Sequence, residues 1–505
     1  MSGTGASLPR DVQQELQALR RRVAALETRV ARQSETILAR DRRIQRLVTK
    51  NKGLQKKLEE ALRAAKRQAS PFSKGPPKKN PKRSGRKPGP RHGPTNLRPP
   101  PDHVDETYVA QVPLACSRCG DEIEIDDVKA QYQWDIAFGR RDGLQAIAAI
   151  VREFKVQIGH CGCRGKRWQG RHPLQTSDAL GSAACQIGPG VVAMTAWLNK
   201  EMGAPFAKIA QFFSIYFKLK VRSSTLVRAL LRLAKKAQPA YKRIHELVRT
   251  TPVVYPDETG WRIRGDKAWL HVFVGVRPDG AKLVLYVIGR YRGFSVAAWA
   301  LGRKFAGLLG HDGWAPYDQF KEALHQTCLA HLLRRCTHLL EDATRRAVSF
   351  PRDLKAIIQA AFAVRDRYLE GEVSYHGLQV ARGRLEHRLG RLLEMDLTHG
   401  GNARLAKHVE KHQDEVFTFL KHPDEIEGTN CFAEQETRPA VIARKISGCN
   451  KTWEGAHAHE VLVSNFRTAH HAGKTETVIE WLVEIQREPA RQALRLPAYL
   501  EAGHT

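Results

Sequence analysis

Pro252-Val253-Val254-Tyr255-Pro256-Asp257-Glu258-Thr259-Gly260-Trp261 is the stretch on which the reading of this chain turns. A short apolar run leads directly into two acids, the pattern of a buried strand that delivers carboxylates at its tip. Working outward, Ala268 to Val276 and Ala281 to Ile288 read as two more strands, joined by the turn formers Arg277-Pro278-Asp279-Gly280. Phe294 to Lys304 reads as a helix. A fourth strand is expected at Ala306 to Gly310, ending in His311-Asp312-Gly313, and a short fifth one near Gln326 to Leu329. Ala330-His331-Leu332-Leu333-Arg334-Arg335 follows it.

Three strands, a helix, a strand, a helix and a strand make the order of a ribonuclease-H-like sheet, in which the first and fourth strands are neighbours. Asp257 and Asp312 would then face each other. Facing carboxylates raise each other's pKa. Two Mg²⁺ (or Mn²⁺) ions about 3.5–4 Å apart remove that cost and clamp the attacking and leaving oxygens of an in-line phosphoryl displacement. A third carboxylate from a helix usually completes such a site. The candidate is Glu434, in Gly428-Thr429-Asn430-Cys431-Phe432-Ala433-Glu434-Gln435-Glu436-Thr437-Arg438-Pro439. Capping by Thr429 or Asn430 places Glu434 about one turn into a helix, with Arg438 a turn further on the same face. Asp318, Glu427 and Glu436 are the alternative acids. An Asp at a strand end is more often a turn or cap residue than a ligand. Asp105-Glu106-Thr107 repeats the triplet without an apolar strand before it and is read as a decoy.

The expected fold class is multi-domain α/β. Residues 10–65 repeat apolar residues in steps of three and four, with Leu16, Val23, Val30, Ile37, Ile44, Asn51 and Leu58 at a, and Leu19, Leu26, Gln33, Arg40, Leu47, Leu54 and Ala61 at d. β-Branched a positions with Leu at d favour a parallel two-stranded coil, and Asn51 pins its register. A homodimer or higher oligomer is therefore expected. Residues 66–101 form a Pro/Gly-rich basic linker containing Lys78, Lys79, Lys82, Arg83, Arg86 and Lys87, which suits phosphate contact without base reading. Residues 102–175 carry Cys116-Ser-Arg-Cys119-Gly120 and His160-Cys161-Gly-Cys163, the makings of a zinc-ribbon-like module. Its second knuckle is Cys161 with Cys163, or His160 in place of one of them. Short strands at Tyr132 to Ile136 and Ile147 to Ile158 would lie between the knuckles. Residues 176–250 read as helical, resembling a helix-turn-helix, with Ser223 or Ser224 as an N-cap; ordinary helical packing fits equally well. The catalytic unit spans 251–475 with a helical insertion at about 351–420, and a helical segment without nameable chemistry occupies 476–505.

Composition narrows the function. The 83 Lys and Arg against 52 Asp and Glu leave a net charge of +31 on 505 residues, spread along the chain. Such a surplus calls for a polyanionic partner, and DNA fits better than a membrane, because no lipid anchor or membrane-spanning apolar run is present. Nine cysteines, an odd number, in a chain with no secretory signal favour metal ligation over disulfides.

These pieces carry a resemblance. The coil, the Gly-Arg-Lys-Pro-Gly linker around Arg86, the Cys116/Cys119 knuckle, Asp257-Glu-Thr, His311-Asp312-Gly, Cys328-Leu-Ala-His331 with Arg334-Arg335, and the run from Thr429 through Ala433-Glu434 to Arg438-Pro-Ala-Val-Ile-Ala-Arg444-Lys445-Ile-Ser447 resemble the transposases of the insertion-sequence sixty-six family. The resemblance implies Asp257, Asp312 and Glu434 as a catalytic acidic triad, metal-dependent cleavage at transposon ends and strand transfer into target DNA. It also implies a bacterial cytoplasmic protein associated with the nucleoid. Arg334, Arg335, Arg438, Arg444 and Lys445 would hold phosphates, and small companion proteins of the same element are expected as partners. Two departures stand out: Cys161-x-Cys163 replaces a C-x-x-C, and Gln435 stands where an Arg usually follows the catalytic Glu. An inactive, DNA-binding descendant is the alternative reading.

Overall fold

A computed structural model describes residues 10–66, 98–141, 144–162, 165–342, 345–488 and 496–501. The chain divides into two units, 1–70 and 71–505. The first holds one helix, α1 (Arg10–Lys66), along which Leu19, Val23, Leu26, Val30, Ile37, Ile44, Leu47 and Leu54 are each more than half exposed. An apolar seam of that length is stable in water only when something covers it.

The second unit has two mixed sheets. The first is built from β1 (Glu106–Ala110), β2 (Ile123–Arg141), β3 (Leu144–Cys161), β4 (Arg167–Gln169) and β5 (Cys185–Ile187), in the order β1-β3-β2-β5 with β4 beside β3. The sequence led us to expect short strands here; instead β2 and β3 pair over nearly their whole length as one long antiparallel ribbon. The ribbon buries Gln131, Gln133 and Asp135 and exposes Ile125, Val128 and Ile147, which hides its continuity from a periodicity count. β5 also interrupts the stretch expected to be wholly helical, pairing in parallel with β2.

Helices α2 (Pro189–Lys200), α3 (Phe206–Tyr216) and α4 (Ser223–Thr250) follow. Arg222 holds the cap position of α4, with Ser223 already helical, so neither expected serine is the N-cap. α4 buries Leu226, Leu230, Leu233, Tyr241, Ile244 and Val248 and packs on the second sheet and its neighbours. That burial makes it a core helix.

The second sheet comprises β6 (Val253–Ile263), β7 (Asp266–Val276), β8 (Lys282–Gly289), β9 (Leu308–His311) and β10 (Leu324–Thr327), with α5 (Phe294–Leu301) between β8 and β9. Its strand order is β10-β9-β6-β7-β8: the β6-β7-β8 meander is antiparallel, and β9 and β10 run parallel to β6. Alternation along β6 splits two cores. Val254 joins α4, α5 and α13 on one face, while Val253 and Tyr255 join the helices after β10 on the other. These later helices are α6 (Leu329–Asp342), α7 (Ser349–Leu369), α8 (Tyr375–Leu393), α9 (Gly400–Lys411), α10 (Thr418–Lys421) and α11 (Cys431–Ser447). α12 (Trp453–His471) contributes to both cores, and α13 (Thr475–Arg487) buries Val478, Trp481, Leu482 and Ile485 against α2, α4 and α12. α13, in the C-terminal segment read from sequence as helical but without nameable chemistry, is thus a packing element. α14 (Ala498–Glu501) ends the described chain.

Candidate acidic centre

β6 and β9 pair in parallel at Val253 with Leu308 and at Val254 with Leu309. The same register continued past the paired residues brings Asp257 level with Asp312, and alternation turns both toward the α11 face. The close approach has a local cause. A Cβ on Gly310 would lie 2.7 Å from the Tyr255 ring, so only glycine allows β9 to lie this near β6 there. Burial pushes the Asp257 carboxyl up to about 6; the nearby Glu258 and Asp312 charges add to the rise, and the Thr437 hydroxyl and the Glu258 backbone amide oppose it. Asp312 Oδ1 accepts the Trp314 amide at 3.0 Å, which holds the β9 turn.

Glu434 lies in the first turn of α11. Asn430 occupies the cap position, as one of the two expected candidates, but its side chain does not cap the helix. Its Nδ2 instead donates to the Pro256 carbonyl at 2.8 Å, tying the start of α11 to the residue before Asp257. The Glu434 carboxylate accepts from Arg334 Nη2 at 2.6 Å and lies 3.5 Å from His331 Nδ1, both on α6. Burial, with Arg334 next, lowers the His331 pKa, and the charges of both Glu434 and Asp312 oppose this. Among the described residues, Asp257, Asp312 and Glu434 do not gather tightly enough to share one ion as the Cys328, His331 and Glu434 group does.

Three groups beside the centre escaped the sequence reading. Glu258, on the opposite face of β6, accepts from Arg292 Nε at 2.9 Å and from the Tyr317 hydroxyl at 3.0 Å. Arg292 in turn lies between Trp269 and Trp314. His311 Nδ1 accepts the Gly313 amide at 3.0 Å, its Nε2 lies 2.9 Å from His325 Nδ1, and His325 Nε2 lies 2.8 Å from the Phe320 carbonyl. Because the Gly313 amide must donate, His311 carries its proton on Nε2 and passes a donor to His325, which passes one to Phe320. Every nitrogen of the pair is thereby used, and the relay anchors the turn that bears Asp312. Although His311, His325 and Glu415 are close enough to hold an ion, this proton arrangement leaves His311 no lone pair for one.

The alternative acids are engaged elsewhere. Asp318 pairs with Lys411, and Glu427 makes a bidentate pair with Arg365 at 2.6 and 3.1 Å. Glu436 is fully buried, bound by Arg467 at 2.7 and 2.9 Å and by His471 at 2.8 Å. In the decoy triplet, Asp105 accepts the Val151 amide and Glu106 pairs with Arg152, both contacts made to β3 of the first sheet.

Of the expected phosphate-contacting residues, Arg334, Arg438 and Lys445 are exposed, while Arg335 is half-buried. Arg444 donates to Thr259 Oγ1 at 3.2 Å and to the Gly260 carbonyl, fastening α11 to β6. Lys78, Lys79, Lys82, Arg83, Arg86 and Lys87 lie outside the described residues.

The cysteine module closes around Cys116, Cys119 and Cys161, whose sulfurs lie within 4.8 Å of one another. Cys119 and Cys161 Sγ are 3.1 Å apart, well beyond an S–S bond. Gly120 at φ 78° and Gly165 at φ 57° turn back so that their amides reach the Cys116 and Cys161 carbonyls. Both knuckles therefore have the tight turn that thiolate ligation needs. His160 points elsewhere, its Nδ1 2.6 Å from Asp126 Oδ1. Cys163 lies outside the described residues.

No curated protein matches the chain. A family model described as the transposase IS66 family matches residues 184–458, which run from β5 into the first turns of α12 and take in β6, β9 and α11. That match covers more than half of the 505 residues. The chain carrying this paired-acid sheet belongs to the IS66 family of transposases.

Proposed function

We propose that this transposase cuts DNA at transposon ends and joins the freed ends to target DNA, with Asp257, Asp312 and Glu434 as its catalytic acids. The observation that carries the reading is the parallel β6–β9 pairing, whose register brings two acids level on the face that α11 covers. The strand order β10-β9-β6-β7-β8 and its directions support a ribonuclease-H-like assignment, with α7 to α10 as the helical insertion. A partly buried carboxyl raised to about 6 beside two other acids is the electrostatic signature of a site built for cations, so the residues fit Mg²⁺ or Mn²⁺. Two such ions, when bound by the three acids, supply Lewis-acid stabilisation to the attacking and leaving oxygens.

The protein's own task is to hold acids and phosphates in place. The Gly313 and Trp314 amides fix the turn bearing Asp312, and Asn430 and Arg444 fix α11 against β6. Arg334 contacts Glu434, Arg438 follows it one turn along α11, and together with Arg335 and Lys445 they carry charge that suits DNA phosphates. No covalent enzyme intermediate is required, because a cleaved 3′-hydroxyl can itself attack the target strand.

We further propose that α1 pairs with a second copy through its exposed seam, that residues 66–101 contact phosphate nonspecifically, and that Cys116, Cys119 and Cys161 hold a structural Zn²⁺ with Cys163 as the fourth ligand. His160, committed to Asp126, is the weaker candidate. Residues 102–175, 176–250, 251–475 and 476–505 are the corresponding modules. The protein would work in the bacterial cytoplasm, with companion proteins of the same element as partners. Among the described residues no helix is long and apolar enough to cross a membrane.

The deciding experiment is strand cleavage of labelled DNA carrying the element's ends, comparing wild type with Glu434→Gln in Mg²⁺ and in EDTA. Cutting that requires Mg²⁺ and disappears in the variant while DNA binding persists supports the reading. Unchanged cutting by the variant refutes the assignment of Glu434.

A further inference from the structure

His331 is not used by the acidic triad, yet it sits against it. Its Nδ1 is buried without a hydrogen-bond partner and lies 3.5 Å from Glu434 Oε1. Leaving a buried polar atom unsatisfied costs about 1–3 kcal/mol, so an orphan aimed at a carboxylate calls for a ligand. Cys328 Sγ, His331 and Glu434 offer three donor atoms within 4.8 Å of one another. Of these, Cys328 already accepts the Asn430 amide at 3.1 Å, and burial pushes its thiol up, which keeps it a poor ligand. The donors left facing each other are an imidazole nitrogen and a carboxylate oxygen.

We propose that His331 Nδ1 is a further protein ligand to the divalent cation held by Glu434, so that this half of the centre offers nitrogen as well as oxygen. The proposal rests on the reading of Glu434 as a cation ligand. Two consequences distinguish it. Mg²⁺ favours an all-oxygen shell, whereas Mn²⁺ accepts imidazole more readily, so the site should prefer Mn²⁺. The second consequence concerns Arg334, whose Nη2 donates to Glu434 Oε1 at 2.6 Å and lies 3.4 Å from His331 Nε2. Ligation through Nδ1 moves the ring proton to Nε2, which would then meet the Arg334 N–H donor to donor. Cation binding and this Arg334 contact therefore exclude each other. The Arg334 side chain is 55% exposed and can swing away at little cost, and once released it is free for a DNA phosphate.

The test titrates the full-length protein, without DNA, with Mn²⁺ alone and with Mg²⁺ alone, and records the pulsed electron paramagnetic resonance of bound Mn²⁺. Wild type should show ¹⁴N coupling to Mn²⁺, a signature that needs no variant to fold. His331→Ala should lose that coupling and at least about tenfold in Mn²⁺ affinity, the scale on which even outer-shell partners matter. Its Mg²⁺ affinity should fall much less. Arg334→Ala should bind both ions more tightly. Mn²⁺ bound to wild type without ¹⁴N coupling, or unchanged Mn²⁺ affinity in a folded His331→Ala protein, overturns the ligand role while leaving the triad intact. Failure of wild type to bind either ion removes both the triad reading and this one.

Discussion

Replacing Asp257 by Asn should make the metal-free protein more stable while destroying its chemistry. Burial beside Glu258 and Asp312 raises the Asp257 carboxyl from its ordinary 3.8 to about 6. In an unfolded chain it returns to the ordinary value, so between those two pH values the folded protein holds the extra proton. The contribution of this group to stability is then fully present below pH 3.8 and is lost as the pH climbs through about 6. The rise corresponds, at about 1.4 kcal/mol per pH unit, to about 3 kcal/mol by neutral pH. Asparagine matches the protonated acid in shape and charge, so it should recover most of that amount at pH 7.5. In a unit of more than 400 residues the gain appears as a rise of a few degrees in Tm. The assay is thermal or urea unfolding in EDTA at pH 7.5 and pH 4 for both proteins. The gap should be present at pH 7.5 and nearly closed at pH 4, and added Mg²⁺ should stabilise wild type more than the variant. A less stable Asp257→Asn protein at pH 7.5, or a gap of the same size at both pH values, would refute the electrostatic account.

Three other outcomes follow from contacts described above. Burial alone would raise Glu436, but Arg467 and His471 overcome it and hold the carboxyl at about 2. Its contribution is therefore present above pH 4.5 and fades as pH falls toward 2, and Glu436→Gln should cost about 3 kcal/mol at pH 7 in urea unfolding, falling to about 1.4 kcal/mol at pH 3. Cys119→Ser should lower the bound zinc measured by atomic absorption from one ion per chain toward none; retained stoichiometric zinc would remove Cys119 from the ligand set. Replacing Val23 and Val30 on α1 together by Asp should convert the protein to a monomer in sedimentation velocity, and an unchanged dimer would place the interface elsewhere.

How much of this was legible depended on range. The strands β6 to β8 declared themselves through local alternation, and turn formers at Arg277 to Gly280 joined two of them. The proximity of Asp257 and Asp312 followed from strand order once five strands were recognised, because neighbouring parallel strands end at one edge. The partners of those acids were a different matter. Nothing in the neighbourhood of Asn430 says that its amide will reach Pro256, 174 residues away. The His311–His325 relay and the Glu258–Arg292 pair likewise join residues whose spacing has no periodic signature. Long strands such as β2 fail for a related reason: a two-residue period needs apolar contrast, and β2 buries Gln131, Gln133 and Asp135 while exposing Ile125 and Val128. The serines opening α4 were misread because cap propensity cannot decide between adjacent positions when the preceding Arg222 already has extended backbone.

One helix reconciles the opposing demands of the acidic centre. Asp257, Glu258 and Asp312 repel one another, and a sheet edge carrying them would open if only local forces held it. α11 supplies the restraint from outside the conflict. Its first turn presents Glu434 to the centre, and two residues later Glu436 turns to the opposite side of the helix and locks to Arg467 and His471 of α12. Asn430 and Arg444 pin the two ends of α11 to β6, at Pro256 and at Thr259–Gly260, on either side of Asp257. The strongly paired acid therefore sits a half-turn from a half-exposed one, and the contacts that hold the helix leave Glu434, the proposed catalytic acid, out of them. Loosening that anchor should impair the centre while every acid in it remains. Arg467→Lys, which keeps the charge but loses the bidentate grip, should lower cleavage and Mn²⁺ affinity together, whereas DNA binding measured in EDTA should be unaffected. Equal loss of DNA binding would mean that the Arg467 contact supports the fold at large and does not specifically position α11.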